Sequence, residues 1–304
     1  MSTQIGQIGQ VGQSGQVRRR LQDFHAAAVG GRCGSMLTCY DATTAGWLSA
    51  AGVQALLMGD SAAQVVFGHD NTLSMGMDLT VALCAGVRRG APGAWLVGDM
   101  PFLSYQVCVE DAIRNAGRLL VEGMADTVKL ELGAGQLGLV SALSEAGIPA
   151  IAHLGLLPQH VKLLGGYRVA GRGRAGAAAV VAQAREAVDR GAVGVLLEAV
   201  PAEVGAAVRD AVGEKALVIG CGAGPHVHMQ VLVLQDAVGL TQGAVPRFAG
   251  RFGSVGEQLA EAAERYRLAV EEGRFPGVEH CYGAGEPAAA ARPGGGGRGT
   301  RKKT

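Results

Sequence analysis

Four acidic residues close apolar runs, and their placement is the strongest chemical signal in the chain. A-L-L-M-G-D ends at Asp60, A-W-L-V-G-D at Asp99, T-V-K-L-E at Glu131 and V-G-V-L-L-E at Glu198. From Ala125 to Leu132, Val128, Leu130 and Leu132 alternate with Lys129 and Glu131, the period of a strand. In a parallel barrel strand Lys129 and Glu131 would point inward, where a buried charged pair is costly unless paired or ligated. One acid at a strand end reads equally well as a helix cap or a solvated loop residue. Four together do not, because capping favours Asp over Glu and two of the four are Glu.

The chemistry open to these residues is specific. Asp60, Asp99 and Glu131 offer hard oxygen ligands without His or Cys. That donor set suits Mg²⁺, and Mn²⁺ less specifically, with water and substrate completing the shell. A divalent ion beside a 2-keto acid can chelate its carboxylate and keto oxygens and stabilise an enolate. Glu198, on a separate strand, is free to take the proton next to the carbonyl. Lys129 would hold the substrate carboxylate or offset the acids. A Schiff-base role for it is disfavoured, since flanking carboxylates keep a lysine protonated.

The elements that must position these side chains follow from the apolar pattern. Strands are predicted at Ser35–Tyr40, Gln54–Gly59, up to Asp99, at Ala125–Leu132, at Ile148–His153, up to Glu198, at Ala216–Gly220 and, weakly, around Ala237–Leu240. Helical patterns alternate with them, and a closing helix runs over Val255–Glu272. A loop follows Asp60 as far as Ser74, and a Gly-rich loop of about twenty residues follows His153; a loop of that length is usually functional. Eight strand-then-helix units predict a (β/α)₈ barrel, whose catalytic face is the carboxyl end of the strands.

Composition sets the bounds. The chain has 304 residues and a net charge of +1, which gives no argument for nucleic acid. No apolar run reaches the ~20 residues of a membrane span, and the Gly/Gln-rich start has no secretory core; cytoplasmic location is the default. Residues 1–20 read as a disordered tail, 21–282 as the catalytic barrel and 283–304 as a basic low-complexity tail. Six cysteines occur without a CxxC; several lie inside apolar runs, which suggests buried thiols rather than disulfides or a zinc site. Trp47 and Trp95 read as packing residues. No P-loop and no G-x-G-x-x-G after a strand is present; G-C-G-A-G at 220–224 is a weak anion-binding signal.

Several segments carry a resemblance in sequence order. They are G-D-S at 59–61, G-H-D-N-T-L at 68–73, V-R-R-G-A-P at 87–92, D-M-P-F at 99–102 and V-K-L-E at 128–131. H-L-G-L-L-P-Q follows at 153–159, G-G-Y-R-V-A-G-R at 165–172, L-E-A-V-P at 197–201, I-G-C-G-A-G at 219–224 and F-P-G-V-E-H at 275–280. The chain resembles the ketopantoate hydroxymethyltransferase family over about Ser35 to His280. The resemblance implies a barrel of the phosphoenolpyruvate/isocitrate lyase type. It also implies transfer of a hydroxymethyl group from 5,10-methylenetetrahydrofolate to 3-methyl-2-oxobutanoate, giving 2-dehydropantoate for pantothenate synthesis. By motif, Asp60, Asp99 and Glu131 resemble the Mg²⁺ ligands, Asp60, Ser61, Asp99 and Lys129 the keto-acid contacts, and Glu198 the proton acceptor. His153 is a site-lining candidate, and Tyr167 and Arg172 are either folate contacts or loop anchors. The implied partners are the keto acid and folate, with no nucleic acid and no membrane, in a homo-oligomer that the resemblance makes a decamer of two pentamers.

The chain departs from the family pattern after G-A-G, where P-H-V-H-M-Q places His228-Met229 at an expected Asp-Gly. Read as a loop at the catalytic face, that change bears on folate binding. It motivates an alternative function, a carbon–carbon lyase acting on another 2-keto or 2-hydroxy acid.

Overall fold

The computed structural model describes residues 18–282. Of the expected tails, residues 1–17 and 283–304 lie outside the described residues, while Arg18–Arg20 are described and lead into the first helix. The described chain divides into two compact units, one running to Gly256 and one starting at Glu257.

The first unit is a closed barrel of eight parallel strands in the order of the chain. They are β1 Gly34–Thr38, β2 Ala55–Met58, β3 Trp95–Asp99, β4 Thr127–Glu131, β5 Ala150–Gly155, β6 Gly194–Glu198, β7 Leu217–Cys221 and β8 Met229–Leu232. β8 closes on β1 with Gly34 opposite Met229 and Met36 opposite Val231. Strands covered on both faces read as near-continuous apolar runs, which is why β2, A-L-L-M, is buried at every residue.

Alternation divides each strand between two cores. Leu56, Leu96, Leu130, Ala152 and Leu197 face outward and pack beneath the helices. Met36, Leu57, Val97, Ile151, Leu196, Ile219 and Val231 fill the barrel interior. Its amino-terminal end is plugged by Trp95, which lies 5.1 Å from the Phe24 ring of the helix Leu21–Val29. The Trp95 indole N–H donates to Thr127 Oγ1 at 3.0 Å, so the buried polar atom is satisfied. With hydrocarbon below, charged interior residues are confined to the carboxyl ends of the strands.

The surrounding helices are held close. A Cβ on Gly90, the last residue of the helix Met77–Gly90, would lie 2.0 Å from the Ala42 carbonyl oxygen. Only glycine lets that helix end approach the helix Ala42–Ala50 so closely. Arg88 of the same helix is buried. It donates to the carbonyls of Met124, Pro92 and Ala94 and pairs with Asp126 at 2.5 Å.

Three expectations are corrected. The eighth strand is Met229–Leu232, whereas the short helix Leu234–Ala237 leads into the stretch predicted as strand. Only Met229 and Val231 face inward, so the period-two signal is two residues long and easily missed. β7 joins β8 through residues 222–228 without a helix, so the repeat is not eight complete strand–helix units. All six cysteines are free, as expected, with Cys39 and Cys84 buried and Cys33, Cys108 and Cys281 exposed. Trp47 is 69% exposed and packs no core, since the helix Ala42–Ala50 buries only Ala45.

The second unit begins at Glu257, within the helix Val255–Glu271 that the sequence reading groups with the barrel. Its rings pack together, Tyr266 edge-on to Phe275 at 5.6 Å and Phe275 tilted against His280 at 4.8 Å. No helix of the described residues is long and apolar enough to cross a membrane.

Candidate active site

The structure brings all seven predicted site residues to one place. Asp60, Ser61, Asp99, Lys129, Glu131, His153 and Glu198 line a single cavity of about 910 Å³ at the carboxyl ends of the strands. Asp99, Glu131 and Glu198 are the last residues of β3, β4 and β6, and Asp60 stands two residues past β2. Strand pairing sets Asp99 beside Lys129, Glu131 beside His153 and Glu198 beside Cys221.

Lys129 is the hub. Its ammonium pairs with Asp99 Oδ1 at 2.6 Å and lies 3.3 Å from His153 Nδ1. An ammonium can only donate, so His153 Nδ1 accepts and the ring proton belongs on Nε2. That nitrogen lies 3.3 Å from Glu198 Oε2 but makes no hydrogen bond to it and is buried without a partner. Asp99 Oδ2 accepts from the Asp60 amide at 3.1 Å. Ser61 Oγ lies 2.8 Å from the Tyr40 hydroxyl, which donates to Thr38 Oγ1 at 2.8 Å.

Charge is unbalanced here. Asp60, Asp99, Glu131 and Glu198 gather around one buried ammonium, Lys129, while Asp236, Arg168 and Arg247 line the cavity as well; burial makes an ionised acid costly. Burial pushes the Asp99 carboxyl up to about 7, the Asp60 charge adds to this, and Lys129 opposes it. Glu131 is raised well above the usual range, again chiefly by burial. Glu198 is raised by burial to about 7, with Lys129 pulling the other way; its side chain keeps 19% exposure. Burial alone would lower Lys129, but the charges of Asp99, Glu131 and Asp60 outweigh it and the ammonium is held protonated. Burial and then Lys129 push His153 well below its usual value, so the imidazole is neutral.

The residues fit a hard divalent cation. The donors are carboxylate oxygens, an excess of negative charge surrounds them, and Glu131 Oε1 is buried with no hydrogen-bond partner. Among the described residues no three His, Cys, Asp or Glu side chains converge as a ready chelate. The fit is therefore to an ion that takes one or two protein carboxylates and keeps its remaining positions for water and substrate, the habit of Mg²⁺.

Other predicted residues divide. Tyr167 lines the cavity, beside an Arg168 for which no role was predicted, whereas Arg172 stands at the start of the helix Gly173–Asp189. His228 does not lie at the catalytic face. Its N–H donates to Val218 O, its Nδ1 accepts from Val218 N at 3.0 Å, and its carbonyl accepts from Gly34. All of these are at the amino-terminal ends of β7 and β1, so His228 belongs to the opposite face. Sequence reasoning assigned no role to Gln159, Tyr105 or Tyr40, all buried around the acids. Gln159 was visible only as the last letter of H-L-G-L-L-P-Q, because an uncharged amide breaks no burial rule.

A closed parallel barrel with carboxylates and a lysine gathered at its carboxyl face defines an α/β-barrel enzyme. Solved structures share this architecture. Phosphonopyruvate hydrolase in complex with oxalate and Mg++ aligns with a TM-score of 0.56 at 13% identity, over 86% of this chain and 92% of that one. 2,3-Dimethylmalate lyase, a PEP mutase/isocitrate lyase superfamily member, aligns at 0.55 and 16%, over 85% and 90%. These likenesses concern the fold. Sequence similarity goes further. A relative from Frankia alni named 3-methyl-2-oxobutanoate hydroxymethyltransferase is 46% identical over 265 residues, 87% of this chain and 86% of its own. One of the same name from Syntrophobacter fumaroxidans is 44% identical over 260 residues, 86% of this chain and 92% of its own. The ketopantoate hydroxymethyltransferase family model matches residues 18–278, and the chain belongs to that family.

Proposed function

We propose that the cavity transfers a hydroxymethyl group from 5,10-methylenetetrahydrofolate to 3-methyl-2-oxobutanoate, giving 2-dehydropantoate, with Mg²⁺ held by one or two of the carboxylates Asp60, Asp99 and Glu131. The names of the relatives support the reaction. The observation that carries the assignment of roles is the line from Asp99 through Lys129 and His153 to Glu198, at 2.6, 3.3 and 3.3 Å.

When bound, Mg²⁺ supplies positive charge against the keto and carboxylate oxygens, which favours loss of the C3 proton. Lys129, protonated and buried, binds the substrate carboxylate from within the acid ring. Glu198 takes the C3 proton; its carboxyl at about 7 matches a base working near neutral pH. His153, neutral, stands 3.3 Å from Glu198 Oε2 with its Nε2 unpartnered, close enough to donate to that carboxylate once the substrate settles the two side chains. The C3 carbon then bonds to the methylene carbon of the folate, and one water is consumed in releasing tetrahydrofolate and the hydroxymethylated product. A cavity of about 910 Å³ leaves room beside a five-carbon keto acid for a second, larger reactant.

NMR of 3-methyl-2-oxobutanoate in D₂O with Mg²⁺ and without folate tests the first half. Loss of the C3 proton signal with wild type but not with Glu198→Gln is expected, and product should form only when folate is added. Product formation without folate would reject the transferase reading. The lyase alternative rests on the altered 225–229 segment; with His228 on the far face, nothing now favours it. The homo-oligomer is part of the same reading, and light scattering tests it.

A further inference from the structure

Gln159 follows β5 in the turn Pro158–His160 and is 2% exposed. Its Nε2 donates to Asp60 Oδ2 and to the Met100 carbonyl, each at 3.0 Å. Its Oε1 accepts from the Tyr105 hydroxyl at 2.7 Å and from Gln106 Nε2 at 3.3 Å. Its main-chain N–H donates to Glu131 Oε2 at 2.9 Å. The amide orientation is not free. Asp60 Oδ2 and the Met100 carbonyl only accept, so the atom facing both must be nitrogen. Both amide protons are then committed.

Resting on the reading that this cluster holds a divalent cation, we propose that Gln159 is the positioning residue that orients its carboxylates. One residue, from the loop after β5, takes one oxygen of Asp60 through its side chain and one oxygen of Glu131 through its main chain. The other oxygen of Glu131, Oε1, is left buried without a donor, as a ligand atom held ready would be. Asp60 and Glu131 come from different strands and repel each other; without a shared donor between them each would turn toward other partners. Tyr105 keeps the device in register. Its hydroxyl accepts from the Glu131 N–H at 3.1 Å while donating to Gln159, so the amide cannot flip without losing that bond. Groups that orient metal ligands in this way are worth about 10–100-fold in metal affinity.

The test is Mn²⁺ binding to the full chain without substrate, followed by the electron paramagnetic resonance signal of the free ion. Gln159→Met keeps the size and the main-chain donor but removes the amide. Wild type should bind, and Gln159→Met should bind about 10–100-fold more weakly with an unchanged circular dichroism spectrum. A lowered melting temperature with unchanged Mn²⁺ affinity would make Gln159 structural only and overturn the proposal. If Gln159→Met does not fold, Tyr105→Phe decides: weaker Mn²⁺ binding supports the proposal, and wild-type affinity overturns it. Absence of Mn²⁺ binding by wild type would reject the cation reading itself, and the role of Gln159 with it.

Discussion

Replacing Glu198 by Gln should stabilise the protein at alkaline pH while disabling it. Burial raises the Glu198 carboxyl from 4.5 to about 7, so the folded protein holds this proton more tightly than the unfolded chain does. The stability this contributes is fully present below the unfolded value and is lost as pH rises through about 7. A shift from 4.5 to about 7 corresponds to about 3 kcal/mol at most, at ~1.4 kcal/mol per unit. The 19% exposure of the side chain reduces that figure. Glutamine carries no charge to bury, so Glu198→Gln should melt a few degrees above wild type at pH 8 and no higher at pH 4.5. Catalysis should move oppositely. Wild-type C3 proton exchange should rise about tenfold from pH 6 to pH 8 as the base ionises, and Glu198→Gln should lose about 10²–10⁴-fold. Thermal unfolding and NMR exchange on the same samples measure both. Equal melting temperatures at pH 8, together with a wild-type rate flat from pH 6 to 8, would refute the assignment of Glu198 as a buried base.

Lys129→Met leaves Asp99 without its 2.6 Å partner inside an acid ring, and should destabilise the fold by about 3–5 kcal/mol; urea unfolding measures it, and a loss under 1 kcal/mol would mean the ring neutralises itself by taking up protons. Chelation with EDTA should abolish C3 proton exchange and added Mg²⁺ should restore it; exchange that persists through dialysis against chelator rejects the cation reading. Gly90→Ala would drive a methyl group into the Ala42 carbonyl, 2.0 Å away, and should cost about 1–3 kcal/mol or more; unchanged unfolding would show that the two helices can part freely.

What could be read from the sequence was what burial physics makes conspicuous. A carboxylate ending an apolar strand violates the rule that buried charges need partners, so Asp60, Asp99, Glu131 and Glu198, which line one cavity, are conspicuous in the sequence itself. Lys129 is conspicuous for the same reason, and the inward–outward alternation of β4 told which way it points. The barrel followed from apolar runs spaced by helical patterns. Residues that obey every rule stayed silent. Gln159 and Tyr105 are neutral and unremarkable in sequence, yet they join the acids of different strands, and only three-dimensional proximity reveals that. β8 hid because its inward face is two residues long, and misplacing it misplaced its neighbour as well.

That neighbour shows how an error of topology becomes an error of function. With β8 set near residue 237, the segment 225–229 is a loop at the catalytic face, and the histidine there looks like a change of substrate or folate use. With β8 at Met229–Leu232, the chain from β7 must recross the barrel in residues 222–228, so His228 arrives at the amino-terminal rim. There its Nδ1 takes the Val218 N–H and its own N–H reaches Val218 O, tying the incoming end of β8 to β7. Residues at that face of a barrel serve stability. The departure from the expected pattern at His228 is therefore a matter of how the last strand is fastened, and the carboxylates line the opposite face, away from it.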